Sequence, residues 1–174
     1  MMSEATAAAA RPQRRQSTAT AGDEDHRTSW LLCRTGTHLC AIPLDHVIEI
    51  LRVPPIEAVA GAPPYVRGLC IIRGAAVPVV DIGILIGDQT TNSERLITIR
   101  AGSRTIALAA EMVLGIRAIG AETFRALPPL LRDAASEAIA AIGTLDAEIL
   151  FFLRTTLVVP QDLLDRLDPD GAAS

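Results

Sequence analysis

The residues best suited to acid–base chemistry are three carboxylates that interrupt apolar runs: Glu49, Asp81 and Glu111. Burial raises the pKa of a carboxyl group, so two of them brought together could act as general acid and general base. Carboxylates at strand ends more often cap turns or form surface ion pairs. We therefore favour a structural role for all three, and keep an enzyme that pairs Glu111 with Asp81 as an alternative hypothesis.

The cysteines and histidines do not have the spacing of a metal or redox site. Cys33, Cys40 and Cys70 form no CxxC pair, and their odd number leaves at least one thiol without an intramolecular bridge, which fits a reducing cytoplasm. We interpret them as small buried hydrophobic residues on strands. The three histidines are equally scattered. No GxxxxGK[ST] or GxGxxG motif is present, so the sequence predicts no metal, no cofactor and no catalytic residue.

Arg73 is a charged residue in the middle of a strongly apolar segment, between Ile72 and Gly74. Glycine at the next position allows positive φ and the close approach of another backbone. The guanidinium offers five planar donors to a partner carboxylate or carbonyl. An ordinary solvated turn arginine would explain the position equally well, and the chemistry of the residues leaves both interpretations open.

Short runs rich in β-branched residues alternate with turn residues along most of the chain, which predicts strands. Short, evenly spaced strands are typical of barrels or sandwiches, in which closure removes exposed edges. The predicted strands are Trp30–Arg34, His38–Ile42, Val66–Ile72, Val77–Ile82, Arg95–Arg100, Thr105–Ala110, Met112–Ile119, Ala141–Leu145, Ile149–Leu153 and Thr156–Val159.

Helical signals are short. Residues 44–51 have helical spacing over only two turns, so we expect a turn, capped by Asp45, that leads into a strand. Residues 121–140 are predicted to be a connector with a short Ala-rich helix. Pro160 is predicted to open a short terminal helix that ends near Leu167.

Composition indicates one compact unit or two small subdomains in residues 29–167. Residues 1–28 have no apolar periodicity and are predicted to be a disordered tail, and residues 168–174 a frayed end.

Hydrophobic residues make up 49% of the chain but aromatic ones only 3%, so the core must be aliphatic. A net charge of −4 without a basic stripe argues against a nucleic-acid partner. Charges or turn residues interrupt every apolar run, which argues against membrane insertion.

The stretch YVRGLCIIRGAAVPVVDI, residues 65–82, resembles the signature hairpin of the CheW-like domain, G-[VI]-x-N-L-R-G-x-x-[VI]-P-V-[VI]-D-L. Upstream, residues 41–52 are similar to the family's "AI-P-…-V-x-E-I" segment, and a proline-containing loop follows at residues 62–64. Downstream, residues 108–116 are similar to "G-L-x-V-D-x-V-x-E-V". The resemblance covers about residues 30–165.

The resemblance implies an all-β fold of two intertwined five-stranded SH3-like β-barrels with short helical connectors. It implies a non-catalytic adaptor, in the cytoplasm at receptor arrays on the inner face of the membrane. The partners would be the regulatory domain of a chemotaxis histidine kinase and the hairpin tip of a chemoreceptor, a methyl-accepting chemotaxis protein. Around the binding surfaces it places Val47, Glu49, Ile50, Val66, Arg67, Arg73 and Gly74.

This sequence departs from the family pattern mainly in the second barrel. The signature asparagine is Ile71, the aspartate after the second-barrel strand is Glu111, and the glutamate of "V-x-E-V" is Gly115. A few altered anchor residues change the specificity of an interface. The leading hypothesis is therefore a coupling scaffold with its own partners, and the second is a regulator that binds only the kinase or only the receptor.

Overall fold

The computed structural model describes residues 27–89, 92–128 and 137–155. Over these residues the chain is built almost entirely of strands, which confirms the all-β prediction. The strands are β1 (Thr28–Thr35), β2 (His38–Pro43), β3 (Val47–Arg52), β4 (Val66–Ile72), β5 (Ala75–Asp81), β6 (Arg95–Ala101), β7 (Arg104–Ala110), β8 (Met112–Ile119), β9 (Ile139–Leu145) and β10 (Glu148–Leu153). The helical elements are α1 (Ile82–Leu85) and 3-10 turns at Leu44–His46 and Ala121–Thr123.

The strands form two five-stranded SH3-like subdomains that share one plan. Sheet A has the order β8-β1-β2-β10-β9, and sheet B has the order β3-β6-β7-β5-β4. In each sheet a central hairpin has a single antiparallel strand on one side. On its other side lies a second hairpin, whose nearer strand runs parallel to the central one.

The two halves of the chain exchange hairpins between the sheets. The hairpin β1–β2 lies in sheet A, but β3, β4 and β5, which follow it, lie in sheet B. The second half does the reverse, because β6–β7 lie in sheet B and β8, β9 and β10 lie in sheet A. Neither half of the chain completes a sheet alone, so the subdomains are intertwined.

The main core lies between the sheets and is aliphatic, as the composition predicts. Sheet A contributes Leu31, Cys33, Cys40 and Ile42, and sheet B contributes Val80, Ile97, Ile99, Ile106 and Leu108. The opposite face of each sheet packs around a smaller core, which in sheet A includes Trp30 and Phe152 in edge-to-face contact. Strands buried on both faces form continuous apolar runs rather than alternating ones. All three cysteines are buried, as predicted, and all three are free.

Several local predictions differ from the structure. β1, β5 and β9 each begin two residues earlier than predicted, so residues 139 and 140 of the predicted connector lie in β9. The strand that was expected to reach Ile82 ends at Asp81, because Asp81 Oδ1 accepts a hydrogen bond from the Ile84 N–H (3.3 Å) and caps α1. Asp45 does not cap the 3-10 turn, which begins after Pro43 and has no side-chain cap. The turn nevertheless leads directly into β3, as predicted.

Several predicted segments lie wholly or partly outside the described residues. The strand at 156–159, the terminal helix from Pro160 and the frayed end at 168–174 lie outside them, as do residues 129–136 of the connector. Of the predicted tail, only Arg27 and Thr28 are described, and Thr28 is the first residue of β1.

Gly68 allows the segment that links β3 to β4 to cross its own sheet closely. Glu57 and Leu69 exchange two backbone hydrogen bonds of 2.8 Å across this crossing. Gly68 has φ +141°, and a Cβ placed there would lie 2.0 Å from the carbonyl oxygen of Glu57. Only glycine fits here without moving one of the two backbones.

Replacing this glycine should be much more costly than replacing one in an open turn. We expect Gly68→Ala to lower the free energy of unfolding by about 2–4 kcal/mol, because strain and a backbone clash add together. Gly74→Ala is the matched control, since Gly74 also has positive φ but nothing lies within 4 Å of its Cβ position. Its expected cost is about 1–2 kcal/mol. Equal losses in urea unfolding would contradict the role given to the crossing.

Candidate functional site

Arg73 and Glu49 form a two-point ion pair on the surface of sheet B. Arg73 Nε donates to Glu49 Oε1 and Arg73 Nη2 donates to Glu49 Oε2, both at 2.8 Å. Such parallel donation fixes the guanidinium plane as well as its position. The Arg73 side chain remains 79% exposed and the Glu49 side chain 26% exposed. The pair is therefore oriented by the protein and open to a partner.

A tight turn places Arg73. It joins β4 to β5 through two residues, Arg73 with φ +51° and Gly74 with φ +83°. Two consecutive positive φ values are typical of the type I′ turn, whose twist matches that of the flanking strands. Arg73 thus adopts the left-handed backbone conformation, which is unfavourable for a residue other than glycine. Its side chain lies at the tip of the hairpin.

A β-bulge places Glu49. The pairing of β3 with β6 shifts between Val47 and Glu49, so that Ile48 is the extra residue. The buried hydroxyl of Thr98 accepts a hydrogen bond from the Glu49 N–H (3.1 Å) and donates one to the Glu49 carbonyl (3.2 Å). A bulge leaves ladder groups unpaired, and here one hydroxyl satisfies both.

One exposed aliphatic residue, Ile48 on β3, lines the same groove as the ion pair and is 48% exposed. Ile50 and Ile71 are also exposed, at 43% and 65%, but on other faces, because Ile50 pairs with Ile97 of the main core and Ile71 lies on the opposite face of the β4–β5 hairpin. A groove of about 230 Å³ runs beside the pair, between β3 and the β4–β5 hairpin, and includes Ile48, Ile72 and Thr105. We name it the Arg73 groove. A large exposed aliphatic residue beside a fixed charge suits a protein-binding surface.

The other face of the β4–β5 hairpin lines a second, mostly apolar cavity of about 410 Å³. Pro54 and Pro55 form one wall, and Ile71 and Ala76 form the other. Cys70 lies at its base, where burial raises the pKa of the thiol and keeps it protonated at neutral pH. The hairpin thus has an accessible depression on each face.

The ion pair changes the acidity of both partners. The hydrogen bonds from Arg73 hold the pKa of Glu49 below its ordinary value. The same bonds raise the pKa of the Arg73 guanidinium. Both groups are therefore charged at neutral pH.

The structure brings together only some of the residues that were predicted for the site. Glu49 and Arg73 line one groove on sheet B, and Gly74 follows Arg73 in the turn. Val47 and Ile50 pair with Ile99 and Ile97 of the main core, so their side chains lie on the opposite face of β3. The prediction that Val66 lies at this surface is wrong, because Val66 is only 7% exposed and packs in the main core.

Arg67 is also remote from the ion pair. It lies six residues before Arg73 on β4, roughly 20 Å along the strand. It is half-buried, and its Nη1 atom is buried without a hydrogen-bond partner.

Sequence reasoning missed Ile48 and Thr98. Ile48 was counted in the helical spacing of residues 44–51, although the alternation of β3, half-buried Val47 followed by exposed Ile48, places its side chain outward. Thr98 lies inside the apolar run Leu96–Ile99. The only sequence signal for its role was that a hydroxyl residue interrupts this run.

The carboxylates considered for catalysis have structural partners. Asp81 caps α1, and Glu111 Oε2 accepts a hydrogen bond from the Gly36 N–H (3.0 Å) at the β1–β2 turn. Within the described ranges, no group of three or more His, Cys, Asp or Glu side chains could hold a metal ion. In the same part of the chain, no helix has the length and apolar character needed to span a bilayer.

The chain resembles known proteins in sequence and in fold. A family model described as the CheW-like domain matches residues 29–162. The chain is 22% identical over 127 residues to the chemotaxis protein CheW of Klebsiella aerogenes, covering 71% of this chain and 76% of that protein. The solved structure of the scaffolding protein TtCheW from Thermoanaerobacter tengcongensis matches with a TM-score of 0.67 and 16% identity, covering 76% of this chain and 92% of that one. The last match concerns the fold alone.

The effect of Arg73 on Glu49 can be measured by NMR. We expect Arg73→Asn to raise the titration midpoint of the Glu49 carboxyl carbon toward the ordinary value of about 4.3. Asparagine followed by glycine suits the turn, so the variant removes the charge and keeps the backbone. Because the carboxyl pKa is lowered in the folded state, the stabilisation from the pair is complete above the ordinary value and is lost as the pH falls through the lowered one. Identical midpoints in both proteins would show that the ion pair does not persist in solution.

Thr98→Val tests the hydroxyl that supports the bulge. The change keeps the shape of the side chain but leaves the Glu49 N–H and carbonyl without their partner, which should cost about 1–3 kcal/mol of unfolding free energy. Thr105→Val, on an exposed residue of the same groove, is the control and should cost less than about 0.5 kcal/mol. Comparable losses in chemical denaturation would mean that the bulge does not depend on Thr98.

Proposed function

The chain belongs to the CheW-like domain family, and on this premise we propose that it is a non-catalytic adaptor that couples chemoreceptors to a chemotaxis histidine kinase. It would bind the regulatory domain of the kinase and the cytoplasmic hairpin tip of a receptor. It would work in the cytoplasm, at receptor arrays on the inner face of the membrane. The names of its relatives, a chemotaxis protein and a scaffolding protein, support this role.

The observation that carries the proposal is the oriented Arg73–Glu49 pair beside the exposed Ile48. Interfaces concentrate their binding energy in a few residues, often an arginine, surrounded by apolar side chains that exclude water. The pair is held at both ends, by the β4–β5 turn and by the bulge in β3, so little further ordering is needed on binding. We assign Glu49, Arg73 and Gly74 to this surface, together with Ile48, and Ile50 to a contact made at the opposite face of β3.

Coupling requires both partners to be held at once. When one partner is bound, the second contact is made at a high effective concentration, so two modest affinities give a stable assembly. A regulator that used one surface alone would compete with one partner and would not link the two. Simultaneous binding therefore distinguishes an adaptor from such a regulator.

The test uses the full chain with the kinase regulatory domain and a receptor hairpin fragment from the same genome. Sedimentation should detect a ternary complex. Arg73→Glu should weaken binding of one partner at least tenfold, because it removes the pair and places two carboxylates together. Arg73→Asn should have a smaller effect, since it removes one charge without adding repulsion. Arg154→Glu, the same change on an exposed residue after β10, is the charge-matched control.

The outcomes separate the hypotheses. Binding of one partner only would support the single-surface regulator. Binding of neither, together with unchanged kinase activation by Arg73→Glu, would rule out the adaptor role.

A further inference from the structure

The common plan of the two sheets gives every element of the Arg73 groove an equivalent in sheet A. The edge strand β3 corresponds to β8, the hairpin β6–β7 to β1–β2, and the hairpin β4–β5 to β9–β10. The correspondence extends to a bridge outside the sheets, because Glu57 pairs with Leu69 of β4 as Arg125 pairs with Ile142 of β9.

The turn at the tip of the hairpin is repeated. Asp146 and Ala147 join β9 to β10 with φ +50° and +68°, close to the values of Arg73 and Gly74. Neither residue is a glycine, so two side chains are held in the left-handed region at this turn. The backbone conformation that presents Arg73 in sheet B thus presents Asp146 in sheet A.

The bulge in the edge strand is repeated as well. The pairing of β1 with β8 skips Leu114, just as the pairing of β3 with β6 skips Ile48. Leu114 is 46% exposed, and Ile116, which corresponds to Ile50, is 59% exposed. Gly115 occupies the position of Glu49, so no carboxylate of the described strand β8 lies opposite the turn residue Asp146 of sheet A. Because Asp146 is itself acidic, it could not form an ion pair with a carboxylate there.

A groove of about 280 Å³ results at the equivalent place, lined by Leu114, Leu145, Asp146 and Glu148. We name it the Asp146 groove. Leu32 and Leu39 form its floor where Thr98 and Thr105 lie in the Arg73 groove. Both floor leucines are nearly fully buried, so the accessible lining of the groove comes from Leu114 and Leu145 and from the charged side chains at its rim.

The charge at the tip is reversed. Asp146 is exposed and, among the residues that the structure describes, its carboxylate has no hydrogen bond or ion pair. Two residues on, Glu148 is neutralised by Arg34, which donates to it from two nitrogens at 3.1 and 2.7 Å. Among the described residues of the groove, Asp146 is therefore the one carboxylate without a partner. It lies near Leu114 and Leu145, and Arg117 lines the groove from the edge strand β8.

We propose that the Asp146 groove is a second docking site, which takes a tight turn of another protein that carries an exposed arginine or lysine between aliphatic residues. The basic side chain would pair with Asp146, and the aliphatic ones would cover Leu114 and Leu145. The inference rests on the proposed function in one respect, because it requires the Arg73 groove to stay free for another partner. If the Arg73 turn of a second copy of this chain occupied the Asp146 groove, every such contact would cover an Arg73 groove. We therefore assign the site to a different protein.

The direct test is an NMR titration of the isotope-labelled full chain with two synthetic cyclic hairpin peptides. One has an Arg-Gly turn flanked by isoleucines, and the other replaces the arginine with glutamate. The arginine peptide should shift the amide signals of residues 114–117 and 145–148 and bind at least tenfold more tightly than the glutamate peptide. Asp146→Asn, which keeps the turn, should weaken the arginine peptide severalfold. Asp146→Lys should abolish its binding, and Arg73 shows that a long basic residue is accepted at the same φ.

The proposal is overturned if the arginine peptide shifts no signal near Asp146, or binds the Asp146→Lys protein equally well. It is also overturned if the chain alone self-associates and Asp146→Lys dissolves the oligomer, because the occupant is then a second copy. Failure of the adaptor role would look different, since the kinase domain and the receptor fragment would not bind even the unaltered chain.

Discussion

The whole structure depends on one shared aliphatic core between two sheets that neither half of the chain can complete. Leu31, Ile42, Ile97 and Leu108 meet there from hairpins that belong to opposite halves. At about 25 cal/mol per Å² of buried apolar surface, burying such side chains dominates the favourable free energy of folding. The hairpins must therefore be exchanged before the core is complete, which couples the two subdomains in a single cooperative unit.

This core makes the surface groove rigid. Arg73 lies at the tip of the β4–β5 hairpin, and β5 is anchored by Val79 and Val80, which are fully buried. Glu49 is held by the hydrogen bond from its N–H to the Thr98 hydroxyl of β6. The ion pair itself is exposed, and exposed pairs stabilise a fold little. Its geometry is thus a product of the fold rather than a support for it, as expected of residues kept for recognition.

Much of the fold could be predicted from the sequence because its turn signals are local. Gly36 and Arg73-Gly74 mark hairpins that the structure contains, and the lack of aromatic residues indicated an aliphatic core. The Arg73–Glu49 contact could not be predicted from spacing alone, since it joins residues 24 apart and depends on a bulge at Ile48. Val66 was misplaced because strand membership does not tell which face is buried, and the end of β5 was placed one residue late, at Ile82, because a capping carboxylate and a strand end have similar patterns.

The exchange of hairpins also means that the molecule resembles a heterodimer whose two chains are joined by the connection between β5 and β6. Cutting that connection would leave two fragments, each with five strands and a largely exposed apolar face, and each lacking the hairpin it needs. They would gain a folded structure only by finding each other. The protein is thus a natural split pair, in which reassembly of the halves and restoration of the surface grooves are the same event.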